Sequence, residues 1–336
     1  MSRVVFCRAH PSLALIKSWG KSDSRRNLPA TASLAVTLAG VHTETRVRPA
    51  PADRVTVDGM EQPVERYAPF FDVLRHRLRT AQRFRADSTN SFPTAAGLAS
   101  SSSGFAALAA ACARMAGRDL PAGELSAVAR VGSASAARSL FGGFTLLPAR
   151  ARAARQLLPE QHWPELRVLV AVANPQAKAI SSRQAMEATR GGSPFYRAWL
   201  ASSGRLLPEA MEALRKRDLE KLGELARLSY SRMHAALLAS DPPVLYWLPA
   251  TVALVRECAE LRRQGLGAWE TIDAGPQVKV LCLAAEAARI AERLREAAGA
   301  AQPAYGAQPA YGAESAGGQI IECRPGPAPE VRVEEE

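Results

Sequence analysis

Apolar residues recur along this chain in two periods, one of about two and one of three to four. Residues 4–6 open an extended apolar segment that His10-Pro11-Ser12 breaks before a second run over 13–19. Partial alternation and β-branched residues predict strands over 32–38 and 41–47. A short strand over 55–57 closes on the hairpin signal Asp58-Gly59. Over 65–83, Phe70, Phe71, Leu74 and Leu78 fall at helical spacing among basic and polar residues, which predicts a helix, and a strand over 84–87 follows it.

Next comes the stretch Asn90 to Gly104, with a proline, a glycine and four consecutive serines, feeding an Ala-rich run over 105–115 that predicts a helix. Further helices are expected over 123–131, 181–200, 207–227, 229–238, 246–264 and 286–298. Strands are expected over 166–173, 269–272, 278–283 and 319–323. Residues 150–164 read as a linking segment, 301–312 as a duplicated Ala-Gln-Pro-Ala-Tyr-Gly hexapeptide of loop character, and the acidic tail after Arg324 as loose. Strands and helices alternate, so the expected class is α/β or α+β, in two domains, 1–163 and 164–336.

Composition narrows the function. No apolar run approaches the roughly 20 residues that span a bilayer and no apolar signal core opens the chain, so the expectation is a cytoplasmic protein without membrane contact. Five scattered cysteines and five dispersed histidines argue against a disulfide framework and a protein-held zinc. The net charge is +11, yet the arginines are spread through Ala/Leu-rich segments and aromatics make up only 6%. That pattern points away from nucleic acid and toward solvated helix faces that steer a small polyanion.

Four stretches place polar residues where packing alone would not demand them. Lys17 ends an apolar run and Lys21 follows a glycine, two lysines in a chain that otherwise prefers arginine; they read as phosphate ligands or as surface charges. The Asn90–Gly104 stretch reads as a linker or as a phosphate cradle at a helix N-terminus, and it has neither Gly-Lys-Ser/Thr nor Gly-x-Gly-x-x-Gly. Ser133, Ser135 and Arg138 form a small-residue block that either packs tightly or faces an anion. Asp273 stands at a strand end before Ala274-Gly275-Pro276, as a turn residue or as a group that orients or deprotonates a hydroxyl.

Together these stretches resemble one family. Lys17-Ser18-Trp19-Gly20-Lys21, Asn27-Leu28-Pro29, Asn90-x-Phe92-Pro93-Thr94-Ala95-Ala96-Gly97-Leu98-Ala99-Ser100-Ser101, Ser133-x-Ser135-x-x-Arg138-Ser139-Leu140-Phe141-Gly142-Gly143 and Asp273-Ala274-Gly275-Pro276 are similar to the signature blocks of the diphosphomevalonate decarboxylases, in the GHMP kinase superfamily. Ser181-Ser182-Arg183, Met186, Met233-His234-Ala235 and Arg324-Pro325-Gly326-Pro327 match in order, so the resemblance covers nearly the whole chain.

The resemblance implies an α+β protein of two domains, the superfamily's N-terminal α/β domain and a ferredoxin-like C-terminal domain, with the active site in the cleft between them. It implies ATP-dependent phosphorylation of the 3-hydroxyl of mevalonate 5-diphosphate, then loss of phosphate and carbon dioxide, with ATP and Mg²⁺ as cofactors and a homodimer as the usual assembly. By position, Asp273, Lys17, Arg138 and Ser101 become catalytic. Lys21, Ser18, Arg66, Ser133, Ser135, Arg183 and Met186 become substrate-binding. Asn27, Asn90, Pro93, Ala96, Gly97, Leu98, Ala99, Ser100, Ser101 and Ser102 become ATP-binding, Ser101 also lying near Mg²⁺. Five positions depart from the family: Ser18 stands for its usual tyrosine, Ser12 and Gln277 for asparagine, Ala134 for glycine and Ala137 for cysteine. Loss of the phenol at 18 leaves mevalonate 5-phosphate as an alternative substrate. Phosphorylation without decarboxylation is a second alternative, and a non-catalytic nucleotide- or RNA-binding relative a third.

Overall fold

The computed structural model describes residues 3–92, 100–173, 180–301 and 318–335. The chain opens with β1 (Arg3–Ala9), β2 (Ser12–Ile16), a short hairpin of β3 (Lys21–Asp23) and β4 (Leu28–Pro29), then β5 (Ser33–Ala39), β6 (Thr43–Ala50), β7 (Arg54–Val57) and β8 (Met60–Glu61). Helix α1 (Val64–Leu78), β9 (Arg83–Asn90), α2 (Ser100–Met115), α3 (Ala122–Gly132), a 3-10 turn over Ala134–Leu140, β10 (Phe144–Leu147) and β11 (Arg155–Leu158) complete the first half. The second half carries β12 (Leu166–Ala171), α4 (Ser182–Gly192), α5 (Tyr196–Lys216), α6 (Leu219–Leu238), α7 (Pro249–Arg263), β13 (Trp269–Ile272), β14 (Val278–Leu283), α8 (Ala284–Ala300), β15 (Ile320–Pro325) and β16 (Glu330–Glu335).

One sheet runs β16-β1-β6-β9-β7-β8, and α1, α2 and α3 pack on it through Phe70, Phe71, Phe84 and Phe105. Alanines make α2 slim enough to be almost wholly buried, and a Cβ on Gly132 would meet the Phe105 ring at 2.2 Å, so α3 needs its glycine there. The other sheet runs β11-β10-β5-β15-β12-β14-β13, with β2 also paired to β5. It passes from the first half to the second where Arg324 and Pro325 pair with Ala39 and Leu38. Beside that seam, a Cβ on Gly326 would lie 2.5 Å from the Ala39 nitrogen. A core shared by both halves joins Leu13, Ile16 and Leu34 to Val168, Leu225 and Trp269, so the cleft has a rigid floor.

The strands fall where alternation put them, and five expectations change. In place of helices over 207–227 and 229–238, α5 runs on to Lys216 and stops where Arg217 turns left-handed at φ 56°, and α6 starts after the Asp218 cap and continues unbroken through Leu228. The tail is not loose. Val331 and Val333 alternate with charged residues, and β16 pairs antiparallel with β1 from Arg3↔Glu335 to Arg8↔Glu330, an edge strand hidden by its glutamates. The 150–164 link holds β11, which extends the second sheet. Helix α1 stops at Leu78 because Arg79 turns left-handed at φ 51°. The 181–200 segment is two helices, broken at Gly192-Ser193-Pro194, since a proline ends the first and a Cβ on Gly192 would lie 2.4 Å from the Asp241 carbonyl oxygen.

Candidate active site

Strand β2 ends at Ile16, and the next residue, Lys17, turns inward with only 1% of its surface exposed. A buried ammonium requires partners. Lys17 Nζ donates to the Ala14 carbonyl at 2.7 Å and to Asp273 Oδ1 at 2.6 Å, across 256 positions of sequence. Asp273 follows β13, and its side chain stays 29% exposed, so the carboxylate opens to the cleft while the lysine lies behind it. A second buried lysine, Lys279 of β14, lies with Nζ 3.6 Å from Asp273 Oδ2. Burial raises the Asp273 pKa, but Lys17, Lys279 and Arg138 outweigh it and hold the carboxyl down at about 2. Burial pulls Lys17 down to about 8, against the opposing pull of Asp273.

Helix α6 fixes both members of the pair. Ser229 Oγ accepts the backbone N–H of Lys17 at 2.8 Å, and His234 Nε2 lies 3.1 Å from the Asp273 carbonyl oxygen. Burial lowers the His234 pKa to about 4, so at neutral pH the ring is uncharged and its Nε2–H donates to that carbonyl.

The 3-10 turn supplies Arg138, 5% exposed, whose guanidinium donates to Ser33 Oγ at 2.7 Å. Its Nε is buried with no hydrogen-bond partner among the described residues. Burial lowers its pKa to about 10, so it is a full cation at neutral pH. Ser135 and Ser133 are 3.0 Å apart through their hydroxyls, and Ser133 is 3.3 Å from Ser101 at the start of α2. The Ser133–Arg138 block therefore both packs and faces α2, whose first-turn N–H groups and positive dipole end point the same way. The helix begins at Ser100, five residues before the Phe105 at which it was expected.

Beyond Lys17 lies a cationic wall. Lys21 is half-buried, and burial with the nearby charges of Arg183, Arg130 and Arg138 pushes its pKa down to about 8. Arg183 is exposed in the first turn of α4, which Ser181 and Gln184 cap reciprocally. Met186 packs against a cluster of Trp19, Tyr196 and Trp199. Ser18 Oγ donates to the Thr31 carbonyl at 2.9 Å. The backbone at Gly20 has φ +89°, and a Cβ there would fall 1.9 Å from the Tyr196 hydroxyl, so only glycine fits beneath that ring.

A cavity of about 340 Å³ opens beside the α2 N-terminus. Val55, Val57, Tyr67, Phe105 and Leu108 make it apolar on one side, and Ser100, Ser101 and Asn90 polar on the other. Arg66 lines this cavity, over the Tyr67 ring and donating to Gln62, and is not among the charges acting on Lys21. Asn90 is held by Asp58 and Thr43. Asn27 is buried in a left-handed conformation, φ 52°, and its amide donates to the Arg130 and Val131 carbonyls, so it pins the β3–β4 hairpin to α3. Ser102 is buried and accepts the Ser12 N–H at 3.4 Å, which ties α2 to β2. Pro93, Ala96, Gly97, Leu98 and Ala99 lie outside the described residues, as does most of the duplicated hexapeptide.

The donor set fits a nucleoside triphosphate, with the Ser100 and Ser101 residues at the α2 N-terminus and Arg66 lining one cavity. Among the described residues no group of three or more His, Cys, Asp or Glu could hold a metal. No described helix is long and apolar enough to cross a membrane.

Sequence reasoning gave no role to Lys279, Ser229, His234 or Tyr196. Lys279 alone left a clear signal, a charge inside Val278-Lys279-Val280-Leu281.

Two joined α+β halves with a helix N-terminus, a carboxylate and buried cations at one cleft define the two-domain GHMP kinase class. Residues 9–154 match the diphosphomevalonate decarboxylase-like N-terminal domain, and residues 168–315 the mevalonate 5-diphosphate decarboxylase C-terminal domain. The diphosphomevalonate decarboxylase of Bos taurus is 34% identical over 313 residues, 83% of this chain and 77% of that one. The mevalonate diphosphate decarboxylase of Staphylococcus aureus superposes with a TM-score of 0.87 at 32% identity, over 100% and 99% of the two chains. A structure described as MDDEF in complex with MVAPP, AMPPCP and magnesium does so at 0.86, with 32% identity and 99% of each chain covered. The chain belongs to the diphosphomevalonate decarboxylase family.

Proposed function

We infer that the protein carries out ATP-dependent decarboxylation of mevalonate 5-diphosphate to isopentenyl diphosphate, releasing ADP, phosphate and carbon dioxide. The observation that carries the reading is the Lys17–Asp273 contact with the half-satisfied Arg138 beside it, on a 3-10 turn preceded by Ser133, which reaches Ser101 at the start of α2. Hydroxide is a poor leaving group, and phosphorylation of the 3-hydroxyl makes it a good one. ATP with Mg²⁺ supplies the phosphoryl group and neutralises its charge.

In this reading the chain's own residues mainly position and neutralise. Asp273 accepts a hydrogen bond from the 3-hydroxyl and takes its proton as the new O–P bond forms and the bond from the phosphoryl group to ADP breaks, and Lys17 stabilises the charge that gathers there. Arg138 holds the substrate carboxylate, with Ser133 and Ser135 beside it. That carboxylate leaves as carbon dioxide, its C–C electron pair becomes the alkene bond, and the C–O pair departs with phosphate. Lys21 and Arg183 take the diphosphate, and Met186 packs along the substrate body. Ser100, Ser101 and the α2 N-terminus would take the ATP phosphates together with residues 93–99, and Ser101 would be the residue to hold Mg²⁺. Arg66 is read here on the nucleotide side, because it lines the cavity with Ser100 and Ser101. Asn27 and Ser102 are read as supports rather than ligands.

The division into domains 1–163 and 164–336, a cytoplasmic location and a homodimer belong to the same reading, on family resemblance. The test is kcat/KM for ATP-dependent carbon dioxide release from mevalonate 5-diphosphate and 5-phosphate. A preference for the diphosphate of tenfold or more supports the assignment of Lys21 and Arg183, since one hydrogen bond to a charged group is worth about 1.5–3 kcal/mol. Equal or better turnover of the monophosphate overturns the diphosphate reading.

A further inference from the structure

Strand β14 lies between β12 and β13, and its side chains alternate between two cores. Val278, Val280 and Cys282 face α7 and α8, whereas Leu281 faces the core shared by the two halves. Lys279 has the parity of Leu281, so a charge stands at a position that packing would give to an apolar residue. Lys279 is directly opposite Thr271 in the β13–β14 register, and Asp273 is two residues beyond Thr271 on the same face. A diagonal neighbour is within reach of a long side chain. Lys279 Nζ lies 3.6 Å from Asp273 Oδ2, and it donates to the Gln277 carbonyl at 3.4 Å.

The two lysines therefore approach different oxygens of one carboxylate, Lys17 at Oδ1 from β2 and Lys279 at Oδ2 from β14. Both are almost fully buried, while the carboxylate keeps an open side toward the cleft. We propose that Lys279 is a positioning residue that holds the second oxygen of Asp273, fixing the rotation of the carboxylate and keeping it charged while it binds the 3-hydroxyl. It rests on the function proposed above.

The charges facing Asp273 from every side favour this division of labour. Arg138 approaches from the 3-10 turn and the His234 ring from α6, but His234 meets the backbone carbonyl, whereas the two lysines approach the carboxylate oxygens themselves. Each carboxylate oxygen has a lone pair left after one such contact, which leaves an acceptor for substrate. Burial lowers the Lys279 pKa and Asp273 raises it, so each group supports the charge of the other.

Lys279→Met keeps the volume and removes the charge. The expected result is a kcat at least tenfold lower, with KM for mevalonate 5-diphosphate and for ATP within about threefold. A kcat within twofold of the parent, or a loss expressed only in KM, overturns the proposal. A second measurement needs no substrate and separates this proposal from the function itself. Lys279→Met should lower Tm in the parent, where it leaves the second oxygen of the carboxylate without its cation, and should lower it less or raise it in Asp273→Asn, where that carboxylate charge is gone. Additive Tm shifts would show that the two side chains are not coupled and would also overturn the proposal. Absence of carbon dioxide release from the parent protein, with the Tm coupling intact, would count against the function and not against the pairing.

Discussion

Lys17 and Lys21, both pulled down to about 8, give the account its pH dependence, and Lys21 is the one read as meeting the substrate phosphate. Burial, reinforced by Arg183, Arg130 and Arg138, sets its pKa near 8 in the unliganded protein. Its protonated form attracts phosphate, so kcat/KM should fall as pH rises through about 8. An anion bound beside it favours the ammonium, so the same limb should appear at higher pH in kcat. The stability effect has the opposite sign. The folded pKa lies below the ordinary 10.5, so the unfolded chain holds more protons between about 8 and 10.5, and this group makes folding more favourable as pH rises across that window. Asp273 behaves as a depressed carboxyl does: its contribution is present above about pH 4 and is lost as pH falls toward 2. pH–rate profiles of kcat and kcat/KM check the first statement, and coincident basic limbs would contradict it.

Part of the site was legible residue by residue. Lys17, Arg138 and Asp273 stand out because each interrupts an apolar run, a small-residue block or a strand end. Their convergence was not legible in the residues themselves, since it depends on β2 and β13 being brought together by α6 and the second sheet. Lys279 was passed over because its neighbours Val278 and Val280 already explained a strand.

At the scale of elements, α6 does more than its amphipathic pattern announced. One face touches the backbone of Lys17 through Ser229 and the backbone of Asp273 through His234, while Tyr230 donates to the buried Glu270 at 3.1 Å on β13. The helix thus sets the distance between the two strand ends that carry the ion pair. Ser229→Ala would leave a buried backbone N–H unpaired, at a cost of about 1–3 kcal/mol. The expected outcome is a lower Tm with kcat reduced more than KM, checked by thermal unfolding and steady-state kinetics. An unchanged kcat would mean that Lys17 is positioned without α6.

Strands with clean alternation were readable, and so were α1, α3, α7 and α8 in outline, whereas the two longest helices, α5 and α6, were divided at the wrong places. The elements that escaped were those whose cause lies elsewhere in the chain. Strand β16 forms because β1 offers an unpaired edge, and the small block at 134–140 becomes a 3-10 turn because Ser33, α2 and β10 close around it.

For the whole molecule, the excess of positive charge acquires a local meaning. Most arginines are on outer faces, but Lys17, Lys279 and Arg138 gather around the Asp273 carboxylate, and Lys21 lies among Arg183, Arg130 and Arg138 with Glu187 as its acidic neighbour, leaving a surplus that suits an anionic substrate. The cleft exists only because a continuous sheet joins the halves: Lys17 and Arg138 come from the first, Asp273 and Lys279 from the second. Two-domain organisation was legible in the sequence, whereas the continuity of the sheet through β5 and β15 was not, because that pairing joins residues nearly three hundred positions apart.

The central claim is that this shared cleft orients a tertiary hydroxyl through Asp273 for phosphorylation and decarboxylation. It is tested most directly by ATP-dependent carbon dioxide release from mevalonate 5-diphosphate, in the parent protein and in Asp273→Asn, with thermal unfolding of both. The account predicts release by the parent, a loss of at least a thousandfold in the variant, about 4 kcal/mol of transition-state stabilisation, and a variant that remains folded. Undiminished release by a folded Asp273→Asn protein would contradict it.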